Sequence, residues 1–340
     1  MSTKKIGYAL GGGAARGLSH IGVLKVLQEY GISPDIIAGT SIGSIIGALY
    51  AGGYDPDDME KIVLGLDWKK LLYMVDMTIP LSGLLQGKRV VLLLKSILGN
   101  ITFSQLRCDF SCVATDIISG EQVVLRDGSL IEAVRASISI PGIFTPVELS
   151  GRYLVDGGLV NSVPVSICRE MGADYVIGVN VIPEPRRIMY NLNKNIQLQV
   201  CEISNDEKTI KDDRITDPVG IRHRSLQSHI DDIENAANTF LLSHRLKGKA
   251  NTTSLSSSTT EQAQPLQIKS PKLIDILSQS LTISEYRLAV ENLKEADLAI
   301  SPDVEGIGFW QFNNGAQAIA LGEHAARKVL ANKATANIFR

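Results

Sequence analysis

No apolar run in this chain approaches the roughly 20 residues that a helix needs to cross a bilayer. The longest candidates, 42–50 and 90–94, stop far short. An excess of charge of one sign is missing as well: 34 Lys and Arg stand against 36 Asp and Glu, a net charge of −2. That balance gives no electrostatic reason to expect nucleic acid as a partner. Cysteine is scarce. Cys108, Cys112, Cys168 and Cys201 show no metal-ligand spacing and have no histidines clustered near them, so neither a disulfide framework nor a metal centre is expected. In LRCDFSCVAT, Leu106, Cys108, Phe110 and Cys112 share one face of a strand, which makes the thiols small buried residues and fits a reducing cytoplasm. Nothing at the start resembles a secretory signal, because Lys4 and Lys5 precede only Ile6–Leu10 before Gly11. Histidine is scarce too. His20, His223, His229, His244 and His324 all fall outside the loops that would follow core strands, where a catalytic base usually sits.

What is present is enough apolar residue, 44% of 340, to bury a sizeable core in one large domain or two modest ones. KKIGYAL reads as a short buried strand that ends in the glycine loop GGGAARG. From Leu18 the spacing of Ile21, Leu24, Val26 and Leu27 predicts a helix stopped by Gly31. DIIAG is a second strand, and a helix follows it to about Tyr50. This strand–loop–helix–strand–turn–helix order predicts a parallel sheet with covering helices. Asp55-Pro56-Asp57-Asp58 marks a helix start, and 87–98 is a further helix. CDFSCVATDIISGEQVVLRDG gives two strands around Ser119-Gly120, and SLIEAVRASISIPGIF gives a helix ended by Pro141. RYLVDGGLV and ADYVIGVNVIP are strands. From about 184 to 270 the character changes. NTTSLSSSTTEQAQP is too polar to bury itself, although Leu226, Ile230, Ile233, Ala237, Phe240 and Leu241 recur at helical spacing. This stretch reads as an insertion, partly helical and partly disordered. Order resumes near Pro271 with a helix, the strand ADLAIS and a last helix from about Gly315 to Leu330. No internal repeat is apparent.

Three short stretches carry chemistry. GGGAARG, between a strand and a helix, exposes backbone N–H groups where negative charge can sit. It lacks the lysine of a Walker loop. It fits a dinucleotide fingerprint poorly, since Arg16 stands where the last glycine belongs and Gly17 comes one residue late. An oxyanion hole built from the Gly12 and Gly13 amides is the third reading, and a plain tight turn the fourth. GTSIG holds Gly39, Ser41 and Gly43 between a strand and a helix, the setting of a nucleophile elbow; a simple helix cap is the alternative. Asp156 closes the strand RYLV ahead of Gly157 and Gly158. There its carboxylate can accept a proton from Ser41 directly, or serve only the Asp-Gly bend.

GGGAARG, GTSIG and DGG, in that order, resemble the patatin-like phospholipases, the bacterial single-domain members in particular, and ASISIPGIFTPV resembles that family's helix–turn. The likeness covers 5–183 and, more loosely, 271–332. The resemblance implies a three-layer α/β/α sandwich with a mostly parallel central sheet and a nucleophile elbow. It also implies a Ser–Asp dyad without a catalytic histidine, acting on fatty-acyl esters of lipids or phospholipids with no cofactor and no metal. Residue by residue, it makes Ser41 the nucleophile, Asp156 the base, and Gly11, Gly12, Gly13 and Arg16 the oxyanion loop, with Gly39, Gly43, Gly157 and Gly158 as motif glycines. The hydrolase domain is then 1–183 with 271–340, and the 184–270 insertion matches nothing in the family. A cytoplasmic protein is expected, with weak, reversible membrane contact at most. In TIPLSGLLQGKRVVLLLKSILG most leucines face a core, leaving a minor share for a lipid-facing lip or acyl pocket. Three rivals stay open. One is a non-catalytic adaptor binding an unknown partner through the insertion. Another is a Ser-His-Asp esterase using His324, and the last a nucleotide-binding enzyme using Gly11–Gly17.

Overall fold

The computed structural model of the chain describes residues 4–66, 87–185 and 273–331. In chain order these form β1 (Ile6–Leu10), α1 (Ser19–Glu29), β2 (Ile36–Thr40), α2 (Ile42–Ala51), α3 (Pro56–Gly65), α4 (Lys88–Leu98), β3 (Asp109–Asp116), β4 (Gln122–Leu125) and α5 (Leu130–Ser137). They continue with β5 (Val147–Leu149), β6 (Arg152–Asp156), α6 (Val165–Glu170), β7 (Tyr175–Val179), α7 (Leu273–Leu293), β8 (Leu298–Ile300) and α8 (Gly315–Leu330). The strands join in one mixed, mostly parallel sheet in the order β5-β6-β3-β2-β1-β7-β8, with β4 paired to β3.

Alternation along the strands builds the layers. Tyr8 and Leu10 of β1, Ile37 of β2 and Ile177 and Val179 of β7 enter one core with Leu24 of α1, Ile46 of α2, Val134 of α5 and Ile319 of α8. Ala9, Ile36, Ala38 and Val176 point the other way, to Ile167 and Cys168 of α6 and Ala289 of α7. Both faces are covered, so the central strands are apolar throughout, as a three-layer sandwich requires. On the first face α1 and α8 cross with almost no room between them. A methyl on Gly22 would meet Ile319 O at 2.0 Å, and one on Gly322 would meet Ser19 O at 2.0 Å.

The register on β3 is what assembles the site. Thr40 of β2 pairs with Val113 in parallel fashion, and Asp156 of β6 pairs with Ala114 in antiparallel fashion. β4 pairs with Cys112–Thr115, so it occupies the opposite edge of β3 from both. β2 and β6 therefore lie end to end along one edge of β3, with their C-terminal ends meeting between two consecutive residues.

Several elements differ from the sequence reading. A 3₁₀ turn, Ala14–Leu18, precedes α1. α5 ends at Ser137, ahead of Pro141, because Ser139 leaves the helix to bond Asp156. β5 and α6, of three and six residues, give no periodic signal of their own. The start at Asp55 is as expected: its carboxylate accepts the Asp57 N–H, with Pro56 in the first turn. The described residues all belong to one compact unit. The amphipathic stretch 226–241, the Ser/Thr-rich tract and residues 78–86 lie outside the described residues. Among the described residues no helix is long and apolar enough to cross a membrane.

Candidate active site

Ser41 sits on the one-residue turn between β2 and α2 with φ 54° and ψ −125°, a left-handed conformation that costs a non-glycine residue about 1–3 kcal/mol. The flanking glycines make the turn feasible by close approach. A methyl on Gly39 would stand 2.6 Å from Gly43 O, and one on Gly43 2.1 Å from Leu10 O. Ser41 occupies the position of a helix cap, yet its side chain makes no capping bond. Its hydroxyl instead donates to Asp156 Oδ2 at 2.6 Å, and both residues are buried.

Asp156 does two things at once. Oδ2 accepts from Ser41, while Oδ1 accepts the Gly158 N–H at 2.8 Å. Its backbone is pinned on either side: its N–H donates to Ser139 O at 3.0 Å, and its carbonyl accepts from Thr115 Oγ1 at 2.9 Å. Ser137 Oγ accepts the Ser41 N–H at 2.9 Å, and Ser44 Oγ donates to Ser41 O at 2.6 Å. Burial pushes the Asp156 carboxyl up to about 6, against the lowering effect of its bonds from Ser41 and Gly158. A carboxylate near pH 6 is a far better proton acceptor than one near 4.

The glycine loop follows β1 beside this pair, with the Cα of Gly12 so close that a methyl there would lie 3.5 Å from Ser41 Cβ. Not all of its amides are available. Gly11 N–H donates to Val179 O and Gly12 N–H to Ser162 O, both at 3.0 Å. The Gly12 amide, expected as an oxyanion donor, is thus already spent on Ser162, and Gly11 belongs to the loop with its own amide spent on Val179. Among the described residues the N–H groups of Gly13 and of Ile42, the first residue of α2, have no such partner. The same commitment leaves a dinucleotide phosphate without the amides it needs. Arg16 is buried, and its Nε donates to Ile307 O at 2.8 Å; burial lowers its pKa to about 10, so it keeps its charge at neutral pH. Structuring the loop is the role its contacts show.

The two described histidines stand apart. His20 is fully buried with Nε2 at 2.9 Å from Gly11 O, and burial pushes it down to about 4. It is neutral, with Nε2–H donating to the loop. His324 is exposed on α8, and both oxygens of Asp156 are used by Ser41 and Gly158. The His324 triad has no support in this geometry.

Two features carried no signal in the sequence. Ser137 and Ser139 hold the backbones of Ser41 and Asp156, and only the quoted ASISIPGIFTPV stretch pointed near them. Glu285 on α7 reaches the site as well. A methyl on Gly158 would be 2.9 Å from Glu285 Oε1 and 3.1 Å from Asp156 Oδ1. Beyond α5, a cavity of about 410 Å³ is lined by Lys88, Val91 and Leu92 of α4 with Arg135, Thr145, Pro146 and Val147.

Comparison with known proteins adds a family. Residues 8–169 match the patatin-like phospholipases. An uncharacterized NTE family protein of Mycobacterium tuberculosis is 35% identical over 180 residues, 53% of this chain and 50% of that one. A second from the same organism is 40% identical over 168 residues, 48% of this chain and 28% of the other. Patatin-like phospholipase domain-containing protein 6 of Mus musculus is 38% identical over 183 residues, 52% of this chain and 13% of its own length. The chain thus spans half or less of the length of these relatives.

Proposed function

We propose, from the premise that residues 8–169 of this chain belong to the patatin-like phospholipase family, that it is a serine acyl hydrolase cleaving fatty-acyl esters of lipids and phospholipids through Ser41 and Asp156. The observation that carries this reading is the 2.6 Å hydrogen bond from Ser41 Oγ to Asp156 Oδ2, at a strained elbow where neither described histidine, His20 or His324, takes part. Asp156 accepts the hydroxyl proton as Ser41 Oγ bonds to the ester carbonyl carbon and the carbonyl electron pair moves onto oxygen. The Gly13 and Ile42 N–H groups hold that oxygen, the latter at the positive end of α2. Collapse of the intermediate expels the alkoxide, which takes the proton from Asp156. Water then attacks the acyl-serine with Asp156 again as base, and Ser41 recovers its proton as the fatty acid leaves. Losing one oxyanion donor raises such a barrier by about 3–4 kcal/mol. The acyl chain is assigned to the cavity beside α4. The lining residue Arg135 lies on α5, whose last residue, Ser137, bonds the nucleophile.

Hydrolysis of a medium-chain p-nitrophenyl ester by wild type, Ser41→Ala, Asp156→Asn and His324→Ala, with circular dichroism confirming each fold, tests the reading. Ser41→Ala and Asp156→Asn are expected to lose at least a thousandfold in kcat, on the order seen when a member of a catalytic triad is removed, and His324→Ala to match wild type. Near-normal turnover by folded Ser41→Ala or Asp156→Asn overturns the dyad.

A further inference from the structure

Asp156 is not the only acid in the site. Glu285 enters from α7, on the far side of the Gly157-Gly158 turn, and its Oε1 faces Asp156 Oδ1 across Gly158 within about 6 Å. A third charge, the Arg16 guanidinium, acts on Glu285 from the glycine loop. The other groups near Glu285 can be named. Among the described residues, α7 packs against the Gly157–Leu159 turn, which has no ionisable side chain, and against α6. α6 carries Glu170 and also Arg169, whose Nη2 is engaged by Asp297 at 2.5 Å. On α7 itself Tyr286 and Arg287 adjoin it in sequence. Glu285 therefore answers to Asp156 and Arg16.

We propose that Glu285 is a positioning residue for charge, a proton-holding partner that keeps a single negative charge in the dyad and shuts the site down when it ionises. The proposal rests on the dyad reading above. Two carboxylates this close, Asp156 buried and Glu285 half-buried, do not both ionise readily, and the protons come off in two steps that belong to the pair. Asp156, bonded by Ser41 and by the Gly158 amide, takes the charge first. Burial, and then the Asp156 charge, raise Glu285 to about 8 against the pull of Arg16. In the neutral range Asp156 is the charged base, Glu285 holds its proton, and Arg16 balances the site. As the pH rises past 8, Glu285 gives its proton to solvent. A second negative charge then stands across Gly158 from Asp156 and opposes the negative charge that builds up in the transition state, and the rate falls.

The test is the rate at which a fluorophosphonate labels Ser41, measured from pH 5 to 10 on the full chain, in wild type, Glu285→Gln, Glu285→Asp and Ser41→Ala. Wild type is expected to give a bell with limbs near 6 and 8 and about a tenfold loss between pH 7 and 9. Glu285→Gln keeps the acid limb and changes less than twofold between pH 7 and 9. Glu285→Asp restores an alkaline limb. A Glu285→Gln profile with the wild-type alkaline limb, or one lowered equally at every pH as a structural role would give, overturns the proposal and leaves the dyad standing. Labelling of Ser41→Ala at the wild-type rate, or none in wild type, overturns the dyad reading and this proposal with it.

Discussion

Asp156 shows what a buried carboxyl costs the fold. Its carboxyl is raised from 3.8 to about 6 by burial, so the folded protein binds that proton more tightly than the unfolded chain does. The contribution to stability is complete below about pH 4 and is lost as the pH rises from 4 through 6; above that, a charged buried group is a constant penalty. Asp156→Asn keeps an acceptor for the Gly158 amide and turns its NH2 as a donor to Ser41 Oγ, without the charge. Thermal melting is expected to show the inactive variant more stable than wild type at pH 8, with the difference gone at pH 4. A variant less stable than wild type at pH 8 would contradict the sign. The elbow serine makes the same trade in backbone geometry, holding a left-handed φ of 54° that only the surrounding bonds maintain.

At the scale of elements, what could be read from the sequence followed from how local each cause is. GTSIG was legible because its glycines are demanded within the same turn: Gly39 touches Gly43 and its neighbour. The start of α3 was legible because Asp55, Pro56 and Asp57 act on one another. β5 and α6 were not, being too short to show a period. Glu285 was invisible because its partners lie on other elements, and on a 21-residue helix that also carries Glu291 it looks like solvent-facing charge. The oxyanion loop was legible as a loop, while which of its amides were free depended on Val179 and Ser162, far along the chain. The α1–α8 crossing is likewise non-local, and Gly322 shows its cost. Gly322→Ala drives a methyl into Ser19 O and is expected to destabilise by about 3 kcal/mol, lowering Tm by roughly 6–12 °C. Calorimetry showing no loss would mean that the helices can move apart freely.

Across the whole molecule, the layered α/β fold and the order of its three motifs were readable, β7 among the strands. Glycine loop, elbow serine and aspartate are spread over the first half of the chain. They converge because β1 and β2 run parallel and deliver the loop and Ser41 at their C-terminal ends, while antiparallel β6 runs toward β2 along β3 and brings Asp156 to meet it.

The meeting of β2 and β6 on β3 also makes Ser41 a clock. Ser41 and Asp156 are 115 positions apart, and nothing joins them until both strands have docked on neighbouring residues of β3. Local helices form early and distant strand pairings late. In a refolding experiment, fluorophosphonate reactivity at Ser41 is therefore expected to lag behind the recovery of helical circular dichroism. It should appear in step with the burial of Leu154 on β6. Reactivity arriving with the helices would mean that the sheet's edge is assembled first.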